Sequence, residues 1–236
     1  MSDGATLETG PAVPRARLRV WDAPVRLFHW ALVLLIGAAW WTAEERMLDW
    51  HRLAGYSILT LIAFRLLWGV VGSTTARFSS FVRGPMTLVR YVATEMLDRA
   101  APARVGHNPL GGWSVVVMLT LLFAQTLLGL FAVDIDGLES GPFSYLVDFD
   151  LGRAAAELHE TLFNIILAVI GLHVAAIVFH LLVHRDDLVG PMITGRRRAE
   201  ALGVEPRFVS PFVALALLGT CAAGVWAAVK FLGQAY

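Results

Sequence analysis

The chain has 236 residues, of which 57% are apolar and only 16% charged, and its formal net charge is zero. A soluble domain carries about 25% charge, so this composition points to a membrane protein. The lack of net positive charge argues against a nucleic-acid partner.

In chain order, the first twenty residues are polar, with Pro11, Pro14 and three arginines. They lack the apolar core of a cleavable signal peptide and read as a tail over 1–20. Five apolar stretches follow, at about 24–43, 50–72, 112–133, 156–184 and 209–231, each long enough to cross a hydrocarbon core of about 30 Å. They show no strict alternation and are too long for barrel strands, so they are predicted as helices, which satisfy their own backbone in lipid. Between the second and third, GPMTLVRYVATEMLD at about 84–98 has mixed polarity and predicts a short interfacial helix. No internal repeat is evident. The expected organisation is the tail, a four-helix domain over 21–195, and a linker with a fifth helix over 196–236. The expected fold class is an all-α integral membrane protein.

Charge placement predicts orientation. With the N-terminus in the cytoplasm, fifteen of the nineteen Lys and Arg residues fall on that side; only Arg46, Arg52, Arg153 and Lys230 fall on the other. This is a strong positive-inside bias, and it places the C-terminus in the periplasm. The outer side holds four basic against ten acidic residues, a net of −6, much of it in the loop with Asp134, Asp136, Glu139, Asp148 and Asp150. That loop is either simply solvated or a docking surface for a positively charged redox partner.

His159 and His173 lie fourteen residues apart in the fourth apolar stretch. Fourteen residues is close to four turns, so both rings leave one face, about 21 Å apart along the axis. His29 and His51 lie near the starts of the first and second stretches. Alternating helix direction puts His51 and His159 toward the outer side and His29 and His173 toward the cytoplasm. Four imidazoles matched by depth in two pairs suggest two bis-histidine haems b stacked across the bilayer. Two neutral imidazoles make iron six-coordinate, suited to passing one electron. The single cysteine, Cys221, and the absence of C-x-x-C-H mean that such haems are held non-covalently. Gly55, Ala155, Ala156 and Ala176 are small residues within about a turn of these histidines, though small residues also serve plain helix packing.

His180, seven residues after His173, is an alternative inner ligand. His180 and His184, spaced i, i+4, lack an evident third metal ligand. His107, in GHNPLGG, reads as a loop residue or as a group that moves quinol protons. Arg65 either snorkels to the headgroups or pairs with a propionate of the inner haem. Glu160 is interfacial or part of the outer site. Trp30, Trp40, Trp41, Trp50, Trp68 and Trp113 fall near span ends and read as an aromatic belt.

LHETLFNIILAVIGLHVAAIVFH, together with VWDAPVRLFHW, WHRLAGYSILTLIAFRLLWGVVGS and GHNPLGGW, resembles the bacterial cytochrome b561 family, which includes the b-type cytochrome subunits of nickel–iron hydrogenases. The resemblance covers about residues 18–195. It implies a four-helix core with two haems b on histidines that correspond to His29, His51, His159 and His173. It further implies electron transfer in the bacterial inner membrane between quinone and an outside redox partner. That partner is a soluble periplasmic cytochrome or, in the alternative reading, a hydrogenase-type iron–sulfur subunit anchored by this chain. The acidic outer loop favours the soluble cytochrome. A quinone-linked oxidoreductase is the enzymatic reading, left open, as is a homodimer. The competing reading from a different class is a haem-free transporter or assembly protein, because intramembrane ionisable residues also mark ion paths.

Overall fold

The computed structural model describes residues 15–98, 106–136, 139–200 and 206–233. Its elements are β1 (Arg15–Arg19), α1 (Ala23–Glu44), α2 (Leu48–Val71), a 3-10 turn, α3 (Phe78–Phe81), α4 (Pro85–Thr94), α5 (Pro109–Phe131), a second 3-10 turn, α6 (Phe149–Val183), α7 (Val189–Thr194), β2 (Arg196–Glu200) and α8 (Pro211–Ala227), which continues as a π turn to Leu232. Five helices, α1, α2, α5, α6 and α8, are long and apolar enough to cross a membrane. This is an all-α membrane protein.

The helix starts are written locally. Asp22, Asn108, Asp148 and Ser210 each cap a span, accepting hydrogen bonds from Val25, Gly111, Leu151 and Phe212 backbone amides, and α1, α5 and α8 add a proline in the first turn. α6 begins seven residues before the apolar stretch at 156. Its polar start is helical because Asp148 caps it and because Gly152 and Ala155 are small enough to be buried there. A Cβ on Gly152 would meet the Val133 side chain at 2.4 Å. α4 falls inside the expected interfacial helix, buries Tyr91 and packs on α5.

α1 packs on α2, and α5 packs on α6. α2 joins the two pairs by packing on α5, and its other flank carries α8. α6 makes little close backbone contact with either α1 or α2. The bundle is therefore tight along two helix pairs and opened by a slab between α6 and the α1–α2 pair. The core is apolar, centred on Ile58, Ile62, Trp68, Leu122 and Ile166. Outward-facing Leu27, Leu34, Val70, Leu172 and Leu182 are exposed, as lipid-facing side chains are.

One end, called proximal here because it carries the N-terminal strand, is closed by an antiparallel ribbon with Arg15 opposite Glu200 and Arg19 opposite Arg196. The ribbon has no counterpart among the elements read from the sequence. RARLR and RRRAE lack the alternation that marks a half-buried strand. Their pairing is set by the chain around them: Val20 and Trp21 amides both donate to the Gly195 carbonyl, and Gly195 adopts φ 76 against the Trp21 carbonyl. Arg26 donates to the Ile193 carbonyl and Trp30 Nε1 to that of Met192, 3.2 Å away.

Trp68 departs from the aromatic-belt expectation. It is fully buried, and its indole N–H donates to Asp22 Oδ2 at 3.0 Å, while Oδ1 caps α1. Trp30, Trp40, Trp41 and Trp50 are exposed near span ends, as a belt requires. Asp22→Ala removes the cap and strands the Trp68 N–H. A loss of about 2–4 kcal/mol is expected, read as a lowered Tm of the detergent-solubilised protein.

Candidate functional site

His51 leaves α2 one turn after its start, and His159 leaves α6 after three turns. Their rings meet across the slab with centres 6.0 Å apart and planes at 77°. Each Nδ1 is tied to a backbone carbonyl: His51 to Ala39 at 2.8 Å, His159 to Gln125 at 2.9 Å. A carbonyl only accepts, so Nδ1 of each ring carries the proton and Nε2 is left as a free lone pair. Two metal–imidazole bonds of about 2.0 Å, plus the step from nitrogen to ring centre on each side, separate two ring centres by about 6 Å. The pair is thus spaced and protonated for one metal ion held between two imidazoles.

The space around them suits a flat cofactor. A cavity of about 610 Å³ runs from this pair to the distal end, lined by His51, His159, Gly55, Gln125, Gly129 and Phe163 among others. That volume is ordinary for a bound organic cofactor. Gly55 lies one turn from His51, and a Cβ there would meet nothing within 4 Å. Gly129 is needed for the opposite reason: a Cβ would come 3.0 Å from His159 Cε1 and press the ring off its carbonyl. Gln125 Oε1 is buried in the cavity wall without a partner. Ala156 and the exposed Glu160 also line the cavity.

At the proximal level, His29 on α1 and His173 on α6 lie within electrostatic range of each other. His29 packs edge-on to Trp30, with ring centres 5.0 Å apart, and its Nδ1 is buried without a partner. His180, the sequence alternative to His173, packs instead against His184 at 5.0 Å, and His184 Nε2 lies 3.0 Å from the Met96 carbonyl. Among the described residues no cluster of three or more His, Cys, Asp or Glu side chains could hold a metal ion.

The two levels are separated by packing. Along α6, His159, Ile166 and His173 recur every seven residues; along α2, His51, Ile58 and Arg65 do the same. Ile58 and Ile166 are both buried. Each step is about 10.5 Å of rise, so an apolar layer sits midway between two polar levels.

At the mouth of the cavity, Arg52 pairs with Asp49 and Glu139, each at 2.8 Å, and Arg153 donates to the Val133 carbonyl at 2.8 Å. These contacts fold the acidic loop back over the distal end. Glu139 is engaged with Arg52, while Asp134, Asp136, Asp148 and Asp150 are exposed.

Sequence reasoning missed the carbonyls of Ala39 and Gln125, because any residue type supplies one. It missed Gly129, although a lone glycine inside so apolar a helix is itself a cue to close approach. His107 lies in the loop before α5, as read, and what the sequence did not show is its packing: its ring sits between Trp21 and Phe81, with ring centres 4.6 Å from each. Burial, reinforced by the charges of Arg65 and His173, pushes its imidazole down to about 4, so it is neutral at physiological pH.

A family model described as prokaryotic cytochrome b561 matches residues 20–195. No curated protein and no solved structure matches. The free Nε2 pair, the slab and the open face at Gly55 fit haem b, which that family implies. Gly55→Leu projects into the cavity next to His51 from a position where a Cβ meets nothing within 4 Å. The variant is expected to keep its Tm within a few degrees and to lose b-type absorbance per chain, read by haem extraction against protein concentration.

Proposed function

The chain belongs to the prokaryotic cytochrome b561 family, and on that premise we propose that it is a dihaem transmembrane cytochrome carrying electrons between quinone and a soluble redox partner. Transmembrane electron transfer by a b-type cytochrome follows from the family. Two haems, their ligands and the partners are our reading. His51 and His159 hold the distal haem, and His29 and His173 hold the proximal one. The observation that carries this is the 6.0 Å separation of the His51 and His159 rings, each with Nδ1 anchored to a carbonyl.

Haem b, when bound, supplies a one-electron iron couple with no open coordination position between two imidazoles. The chain's own groups do the rest. The Ala39 and Gln125 carbonyls hold the two distal rings in one orientation and raise their basicity. Ile58 and Ile166 keep the layer between the levels dry and of low dielectric. The four ligand positions span about 21 Å along the bundle, most of the hydrocarbon core.

The arginine bias supports an orientation with the proximal end in the cytoplasm and the distal end in the periplasm of the bacterial inner membrane. On that orientation the exposed Asp134, Asp136, Asp148 and Asp150 give the distal face a negative field that attracts a basic soluble cytochrome. The field favours such a partner over an iron–sulfur subunit held by apolar contact. Family membership implies haem b and so sets aside the haem-free transporter reading.

Reduced-minus-oxidised spectra of the purified protein test the assignment. About two low-spin haems b per chain are expected. His51→Ala and His159→Ala should abolish one component, His29→Ala and His173→Ala the other. Loss of the same component in His51→Ala and His29→Ala would refute the pairing. Quinol-driven reduction of a basic cytochrome should slow at least tenfold between low and physiological ionic strength, because surface charges are screened beyond about 8 Å at 0.15 M salt. A salt-independent rate would remove the acidic face from the proposal.

A further inference from the structure

Arg65 is the residue that the bundle leaves in the least favourable state. It is 3% exposed, inside α2, and its Nη1 is buried with no hydrogen-bond partner. A buried cation with an open N–H is costly until an anion meets it. Asp22 is the acid within electrostatic range, but its two oxygens are already engaged by the Val25 amide and the Trp68 indole. The Arg65 guanidinium lies instead over the Phe78 ring, 4.8 Å from its centre.

A second unpartnered polar atom shares this corner. His107 Nδ1 is also buried without a partner. A run of ring contacts joins the two residues: Trp21 to His107, His107 to Phe81, Phe81 to Phe78, and Phe78 under Arg65. His107 lies within electrostatic range of both Arg65 and His173. Arg65 stands fourteen residues after His51 on α2, as His173 stands fourteen after His159 on α6. Both therefore lie on the same helix faces as His51 and His159, at the proximal level.

We propose that Arg65 and His107 form a carboxylate-binding corner of the proximal site and take one propionate of the haem held by His29 and His173. The proposal rests on the two-haem reading above. The chemistry selects an anion over a neutral quinone. A permanent guanidinium needs a permanent negative charge, and a planar carboxylate accepts from guanidinium and imidazole N–H groups together. Neutral His107, with its one ring proton on Nδ1, adds a donor without adding a second buried charge.

The test uses full-length holoprotein with haem labelled by carbon-13 at its propionate carboxyls, through labelled δ-aminolevulinate in the growth medium. Two quantities are read: redox titrations of each haem, and redox-induced infrared difference bands of the labelled carboxyls. In Arg65→Gln, the reduction equilibrium of the haem that is lost in His173→Ala should fall about tenfold, about 59 mV for a one-electron couple. A unit charge about 10 Å from iron at an effective dielectric near 20 is worth that much. The distal haem should not move. One labelled carboxyl band should shift in Arg65→Gln and, by less, in His107→Phe, which keeps the ring between Trp21 and Phe81 but removes the donor. Should Arg65→Gln fail to accumulate, Arg65→Lys and His107→Phe carry the infrared readout, each shifting one labelled carboxyl band with little change in potential. A potential shift with unchanged labelled bands would mean that Arg65 acts through its charge alone and would overturn the proposal. Unchanged bands and potentials would also overturn it. A wild-type protein with no haem that depends on His173 would instead refute the two-haem reading.

Discussion

The two hydrogen bonds from His51 and His159 to the carbonyls of Ala39 and Gln125 are what the distal site depends on. Imidazole has two nitrogens and one proton when neutral, so binding one nitrogen to an obligate acceptor decides what the other offers. Here both rings are left with a lone pair facing a common space 6.0 Å across, ring centre to ring centre. The acceptors come from α1 and α5, the helices that flank α2 and α6. Each imidazole pose is therefore held by a helix other than its own, and shifting any one helix disturbs it.

The same logic explains why α6 stands away from α1 and α2. Four helices packed face to face would close the slab with leucine and isoleucine. This bundle instead joins α5 to α6 and α1 to α2, and lets α2 alone bridge the pairs. Between the levels, Ile58 and Ile166 are buried; at the distal level, Gly55 leaves the gap open and Gly129 lets the His159 ring lie close against α5. The seven-residue repeat on α2 and α6 sets polar, apolar and polar layers at matched heights. In the proposed assignment this separates two redox centres by a dry layer, and the chain's contribution to electron transfer is that spacing and dielectric.

The two ends differ in how they treat charge. The distal mouth is open, its Arg52 and Arg153 engaged by Asp49, Glu139 and the Val133 carbonyl, and Asp134, Asp136, Asp148 and Asp150 are exposed. The proximal end is capped by the β1–β2 ribbon and by α3 and α7, and it buries Arg65, Asp22 and His107 against aromatic rings. One end presents its charge outward, which in the proposed assignment attracts a soluble partner. The other keeps charge inside, with Asp22 within electrostatic range of Arg65.

The sequence by itself determined the spans, their number and the histidine levels, because apolar length and the 3.6-residue period act within one segment and need no partner. His159 and His173 had to share a face whatever packed against them. Tertiary structure alone decided the rest. It alone chose the carbonyls of Ala39 and Gln125, since every residue carries one and only packing selects which is near. It alone buried Trp68 on Asp22 and His107 between Trp21 and Phe81, and it alone paired two arginine-rich segments as strands. Those contacts join residues 12 to 185 positions apart, and no local pattern records a meeting that is set by how whole helices pack.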